Sequence, residues 1–133
     1  MSFKIKGGLL IDDNFMQSFA AVMEGISLPY QVAFKLFKLG NELGLAAKDL
    51  DEKKQFILES HAKKNNDGRF IMKDGGFSFS KVNEGKVKEA MVELFSKDVE
   101  LNCDPLDLQD LEKGVMKPNL IRSMAMIHPL TKK

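Results

Sequence analysis

The chain has 133 residues, of which 44% are hydrophobic and 29% charged, a balance that suits one folded domain, 1–133, and excludes a disordered or fibrous chain. Its formal net charge of +1 supplies no overall field for nucleic acid, an acidic membrane surface or an acidic substrate, so any such partner needs a local patch. The one cysteine, Cys103, excludes an internal disulfide and a cysteine-built zinc site and fits a reducing, cytoplasmic setting.

No stretch approaches the roughly 20 apolar residues of a membrane span. The first apolar segment, Phe15 to Met23, lies between Asp12, Asp13 and Glu24 and lacks the basic leader of a signal peptide. In chain order, Phe3 and Ile5 alternate ahead of Gly7-Gly8, which predicts a short strand, a break and a second extended piece. Asp12, Asp13 or Asn14 can then cap a helix that carries Phe15, Phe19, Val22, Met23 and Ile26 at helical spacing, with Gly25 interrupting it. This strand and short helix occupy 1–26.

Pro29 suits the first turn of a new helix, where its missing amide costs nothing. Val32, Leu36, Leu39, Leu43, Ala46, Leu50 and Ile57 keep one phase along it. Gly40 and Gly44 each cost about 1 kcal/mol relative to alanine in a helix interior, so a hairpin at Gly44-Leu45 is the alternative. A loop would lose the phase, and the spacing therefore favours one helix over 29–64, about 35 residues and about 50 Å long.

Lys63 to Gly68 are residues that stop helices and form turns. The apolar runs Phe70–Met72 and Phe77–Phe79 flank Lys73-Asp74-Gly75-Gly76, which predicts a β-hairpin within 69–80. Ser80 can cap a helix over 81–96 whose Val87, Ala90, Met91, Leu94 and Phe95 face inward. Within 97–130, Val99 and Leu101, then Leu106 and Leu108, alternate with polar residues as two strand candidates able to extend the hairpin into a sheet. Pro118 opens a last helix with Leu120, Ile121, Met124 and Ile127, and Pro129 ends it before a polar tail. The expected class is α+β, mainly α: a long amphipathic helix packed with shorter helices and a small antiparallel β-hairpin or sheet.

Chemistry-bearing patterns are weak. Asp98, Glu100, Asp104, Asp107, Asp110 and Glu112 form an acidic stretch, which alternation with leucines explains as a solvated face. Asn65, Asp67, Gly68 and Asp74 mimic parts of an EF-hand loop, yet Lys63 would occupy its first ligand position. His61 and His128 lie on different helices, away from any nucleophile motif, and His61 continues the apolar stripe as a boundary residue. Cys103 beside Asp104 lacks the cationic setting of a reactive thiol. Gly7-Gly8 and Gly75-Gly76 lack the company of a phosphate loop. The lysine pairs Lys53-Lys54 and Lys63-Lys64, with Lys35, Lys38, Lys81, Lys86 and Lys88, are scattered among acidic residues. No catalytic, cofactor or metal site is expected, and nucleic acid is disfavoured as a partner.

The order of Leu28-Pro29, the Tyr30-to-Leu39 run, a long charged helix, the turn ending at Gly68, a hairpin, another helix and the Leu106-to-Glu112 segment resembles a family of small phage and prophage proteins of unknown function, over most of the chain. The resemblance implies a phage origin and no activity. The expected function is a non-enzymatic interaction or assembly protein, cytoplasmic or in the virion, binding itself or a protein partner through Phe34, Phe37, Leu39, Leu43, Leu50, Phe56 and Ile57. The competing expectation is a regulator that engages a host enzyme or nucleic-acid machinery.

Overall fold

In the computed structural model, which describes residues 2–112, 115–116 and 121–132, the chain runs β1 (Phe3–Lys6), a 3-10 turn (Gly7–Ile11), α1 (Asp13–Gly25), β2 (Ile26–Ser27), α2 (Tyr30–His61), β3 (Met72–Lys73), β4 (Gly76–Phe77), α3 (Lys81–Ser96), β5 (Asp98–Leu101), α4 (Leu108–Glu112), β6 (Val115–Met116), α5 (Ile121–Met126) and a second 3-10 turn (His128–Leu130). The described residues are mainly helical, with three antiparallel strand pairs, β1 with β5, β2 with β6 and β3 with β4.

The long helix is continuous. It spans 32 residues, about 48 Å, and passes through Gly44 without a break. The Pro29 carbonyl accepts the amides of Val32 and Ala33, each at 3.0 Å. The helix stops at His61, short of residue 64, because Ala62 turns extended (ψ 147°) and the next amide, of Lys63, donates to the Ser78 carbonyl at 2.8 Å.

Val32, Leu36, Leu39, Leu43 and Leu50 are the buried stripe of α2. Leu36, Leu39, Leu43 and Leu50 share one core with Ile5, Leu10, Leu101 and Leu106, with Phe15, Phe19 and Val22 of α1, and with Ile127 and Leu130 near the C-terminal end. Asp12 caps α1, its Oδ1 accepting the amides of Asn14 and Phe15 at 3.0 and 3.3 Å. A Cβ on Gly40 would sit 3.3 Å from Met23 Sδ and 3.4 Å from Phe19 Cε1, so that glycine permits the close approach of α1 to α2.

Several local expectations give way to tertiary pairing. Residues 7–11 form a 3-10 turn in place of a second extended piece, held by the Gly7 amide donating to the Lys97 carbonyl at 2.9 Å. β5 does not extend the hairpin: it pairs with β1, from Phe3 opposite Leu101 to Lys6 opposite Asp98. At that last pair Lys6 Nζ lies 2.9 Å from Asp98 Oδ1, and its hydrogen bond, then its charge, holds the Asp98 carboxyl below the ordinary carboxylate range. The alternation of Leu106 and Leu108 is not a strand. Asp107 Oδ1 accepts the Gln109 amide at 2.9 Å and starts α4, which buries Leu111 while Leu108 stays exposed.

The polar tail is also pinned. The Leu106 amide donates to the Leu130 carbonyl at 2.8 Å and the Lys132 amide to the Leu106 carbonyl at 2.6 Å, and Thr131 is buried between them in the chain. The last helix begins at Ile121, and Pro129 sits inside the 3-10 turn that follows it. The expected starting proline, Pro118, and Leu120 lie outside the described residues.

Beyond Leu50 the molecule thins into an arm. No residue from Asp51 to Lys86 is buried, and in α3 only Val87 is, with Ala90, Met91, Leu94 and Phe95 half-buried. Polar links hold the arm together instead. Ser80 Oγ accepts the Asn83 amide at 3.2 Å and Asn83 Nδ2 donates to the His61 carbonyl at 3.1 Å. The hairpin turns on Asp74 (φ 53°) and Gly75 (φ 79°), two positive φ angles that make a two-residue primed turn.

Leu39→Ala or Leu101→Ala is expected to destabilise the fold by about 2–5 kcal/mol, while Val82→Ser on the arm stays within about 0.5 kcal/mol, both read from urea unfolding midpoints. Amide hydrogen exchange should divide α2 in two, with the residues after Leu50 exchanging far faster than those between Leu36 and Leu50.

Candidate interaction surface

At 100° per residue the buried stripe of α2 occupies one side of the helix, and a second apolar set lies roughly 180° around it. Tyr30, Phe34, Phe37, Leu45 and Phe56 form that set, with 78%, 50%, 55%, 64% and 71% of their surface exposed. The first three sit at i, i+4 and i+7, the spacing of a packing face. Tyr30 and Phe34 stack with centroids 6.4 Å apart, and Lys38 Nζ lies 5.9 Å from the Phe34 centroid. α2 is therefore apolar on two opposite faces, and the fold uses one.

This divides the residues nominated from the sequence. Leu39, Leu43 and Leu50 belong to the internal core and are withdrawn from any partner surface, because the surplus of apolar residues on α2 is not a surplus on its buried side. Phe34, Phe37 and Phe56 are exposed, and Ile57 is half-buried. Tyr30 and Leu45 join them without having been nominated. Their signal was present in the sequence as an angular position on the helix, separate from the Val32-to-Leu50 stripe.

Beside the N-terminal half of α2 lies a cleft of about 350 Å³ lined by Phe3, Val32, Pro105, Leu106 and Leu111 together with Lys35, Asp104, Asp107 and Asp110. Three of its charges have structural partners: Lys35 Nζ is 3.7 Å from Asp110 Oδ2, and Asp107 starts α4. Across the acidic stretch, Asp98 pairs with Lys6 and Glu100 Oε1 accepts the Ser2 hydroxyl at 2.6 Å. Among the described residues no group of three or more His, Cys, Asp or Glu side chains is placed to hold a metal ion.

The remaining chemistry-bearing residues serve structure. His61 Nδ1 donates to the Ile57 carbonyl at 2.9 Å. Asn65 Oδ1 accepts the amides of Asp67 and Arg69 at 2.9 and 3.1 Å, so the EF-hand-like segment is a turn closed by the Asn65 side chain. Cys103 is half-buried, and burial, then the charges of Glu42 and Asp104, push its thiol above the ordinary range. No helix among the described residues is long and apolar enough to cross a membrane.

A thiol raised in this way stays protonated and unreactive through neutral pH. Alkylation of Cys103 should accelerate only at alkaline pH, with a midpoint above that of a free cysteine, and Glu42→Gln should lower that midpoint. A midpoint at or below that of a free cysteine in the pH–rate profile would contradict the assigned environment. Comparison of the chain with protein-family models, with curated proteins and with solved structures finds no match.

Proposed function

We propose that this is a non-enzymatic interaction or assembly protein, which binds itself or a protein partner through the outer face of α2. One observation carries the reading: Tyr30, Phe34, Phe37 and Leu45 line one face of a helix whose opposite face is already committed to the core. Exposed apolar side chains scattered singly are ordinary on a monomer, whereas a contiguous aromatic stripe marks a surface that another molecule covers. The helix is anchored at Leu36, Leu39 and Leu43, so the outer side chains stand on a rigid base and lose little freedom on docking. A phage origin, with residence in the host cytoplasm or the virion, belongs to the same proposal and rests on the element order alone.

A second reading is supported by the arm. Lys63, Lys64, Arg69, Lys73 and Lys81 surround the hairpin against Asp67 and Asp74, all of them exposed, and Lys64 Nζ lies 5.2 Å from the Phe70 centroid. Clustered cations with an adjacent ring suit phosphate contact and base stacking, the reading of a regulator acting on nucleic-acid machinery.

Replacing Tyr30, Phe34, Phe37 and Leu45 together by serine should leave circular dichroism and the thermal midpoint nearly unchanged and abolish association, read by chemical cross-linking and by partner capture side by side with the unsubstituted protein. Equal association by both proteins would refute the first reading. For the second, single-stranded oligonucleotides should bind at low salt with a steep salt dependence and be lost in Lys63→Glu/Lys64→Glu; absence of binding at low salt removes it.

A further inference from the structure

We infer that the occupant of the outer α2 face is a second copy of this chain, packed antiparallel about a two-fold axis at Asn41, an inference that rests on the interaction reading above. Positions 30, 34, 37, 41, 44 and 48 advance by four, three, four, three and four, the seam spacing of paired helices. Centred on Asn41, an antiparallel pair sets Phe37 opposite Leu45, Phe34 opposite Lys48, Tyr30 opposite Glu52 and Asn41 opposite itself.

Each juxtaposition is chemically favourable. Phe37 enters a hole bounded by Asn41, Gly44, Leu45 and Lys48 of the other copy. Among the described residues, none lies within 4 Å of where a Cβ on Gly44 would be, so this glycine, which weakens the helix, is unexplained by their packing and is explained by a ring that needs the space. Lys48 meets the face of Phe34 as a cation on a ring, the Tyr30 hydroxyl reaches the Glu52 carboxylate, and the two Asn41 amides can bond across the axis, the device by which one polar seam residue sets register. A parallel pair would set Lys48 against Lys48 and Glu52 against Glu52, like charges face to face.

The area suffices. At the exposures given above, Tyr30, Phe34, Phe37 and Leu45 present about 450 Å² per copy, taking roughly 200 Å² for a whole aromatic side chain. A symmetric pair hides about 900 Å² of it, and the polar rim carries the total past the roughly 1,000 Å² of a specific interface. A two-fold contact of this kind is closed, so it yields dimers and not filaments.

Sedimentation velocity over a concentration series should show a monomer–dimer equilibrium. Phe37→Glu should raise the dissociation constant at least about 100-fold by burying a charge. Gly44→Ala should raise it about tenfold by filling the hole while raising the unfolding midpoint of the dilute monomer, so the two readouts move in opposite directions. In a Cys103→Ser background, Asn41→Cys should form a disulfide-linked dimer under mild oxidation, and Lys48→Cys should not, since residue 48 meets residue 34. Wild-type protein that is monomeric at every concentration, or cross-linking equal at positions 41 and 48, overturns the antiparallel pair. If that monomer captures a different protein and loses it on Phe37→Glu, the face remains an interaction surface and only the second copy falls; if Phe37→Glu changes nothing, both readings fall.

Discussion

The stripe Val32, Leu36, Leu39, Leu43 and Leu50 is the constraint on which the rest of this structure depends. Among the described residues it shares one core with side chains of segments distant in the chain: Phe15, Phe19 and Val22 of α1, Ile5 and Leu101 of the β1–β5 pair, and Leu106, Leu111, Ile127 and Leu130. Those segments are short, and none could bury its apolar side alone. Isolated two-stranded pairs are marginal in water, and α4 and α5 are below the length at which a helix holds itself together. They hold because they close on one another as well as on α2: α5 packs on α1, and β5 pairs with β1 and packs on α2.

The stripe covers only part of the helix that carries it. From Val32 to Leu50 is about 27 Å of a helix about 48 Å long. Once the anchored turns are formed, further turns add a hydrogen bond per residue fixed without a new nucleation step, so the helix runs on past its support. The arm from Asp51 to Lys86 is the outcome, held by backbone hydrogen bonds, the His61–Asn83 link and partly buried side chains. A region of this kind opens at lower free energy than the core, which suits a surface that adapts to a partner more than one that preorganises it.

Much of this was legible in the residues themselves, and the exceptions share a cause. Helix α2, its continuity through Gly44, the Asp12 and Ser80 caps and the Asp74-Gly75 turn are all decided within a few residues, and local chemistry reports them. The pairing of Phe3 with Leu101 and the pinning of Thr131 and Lys132 to Leu106 are decided by contacts that local patterns do not encode. Leu106 and Leu108 alternate like a strand, yet one faces the core from a loop and the other lies exposed at the start of a helix, because the Asp107 side chain captures the Gln109 amide before a strand can form. For the surface, the number of apolar residues on α2 does not say which of them are free. Leu39, Leu43 and Leu50 and the aromatic set Tyr30, Phe34 and Phe37 have similar hydrophobicity and differ only in their angle about the axis, and which angle faces the core is settled by what packs there.

In the proposed association, the two apolar faces of one helix would couple folding to binding. The inner face fixes the helix as a rod, and the outer side chains inherit that rigidity, so their docking orders few additional bonds. The same arrangement explains how the two interior glycines differ. Gly40 is filled from within, by Met23 and Phe19, and its absent Cβ lets α1 approach. Gly44 stands one turn further, and none of the described residues comes within 4 Å of its absent Cβ, so the helix there carries a weakness without a packing partner among them. In the proposed pair that glycine, beside Phe37 and Leu45 on the face that the core does not use, would let another surface approach as closely as α1 does at Gly40.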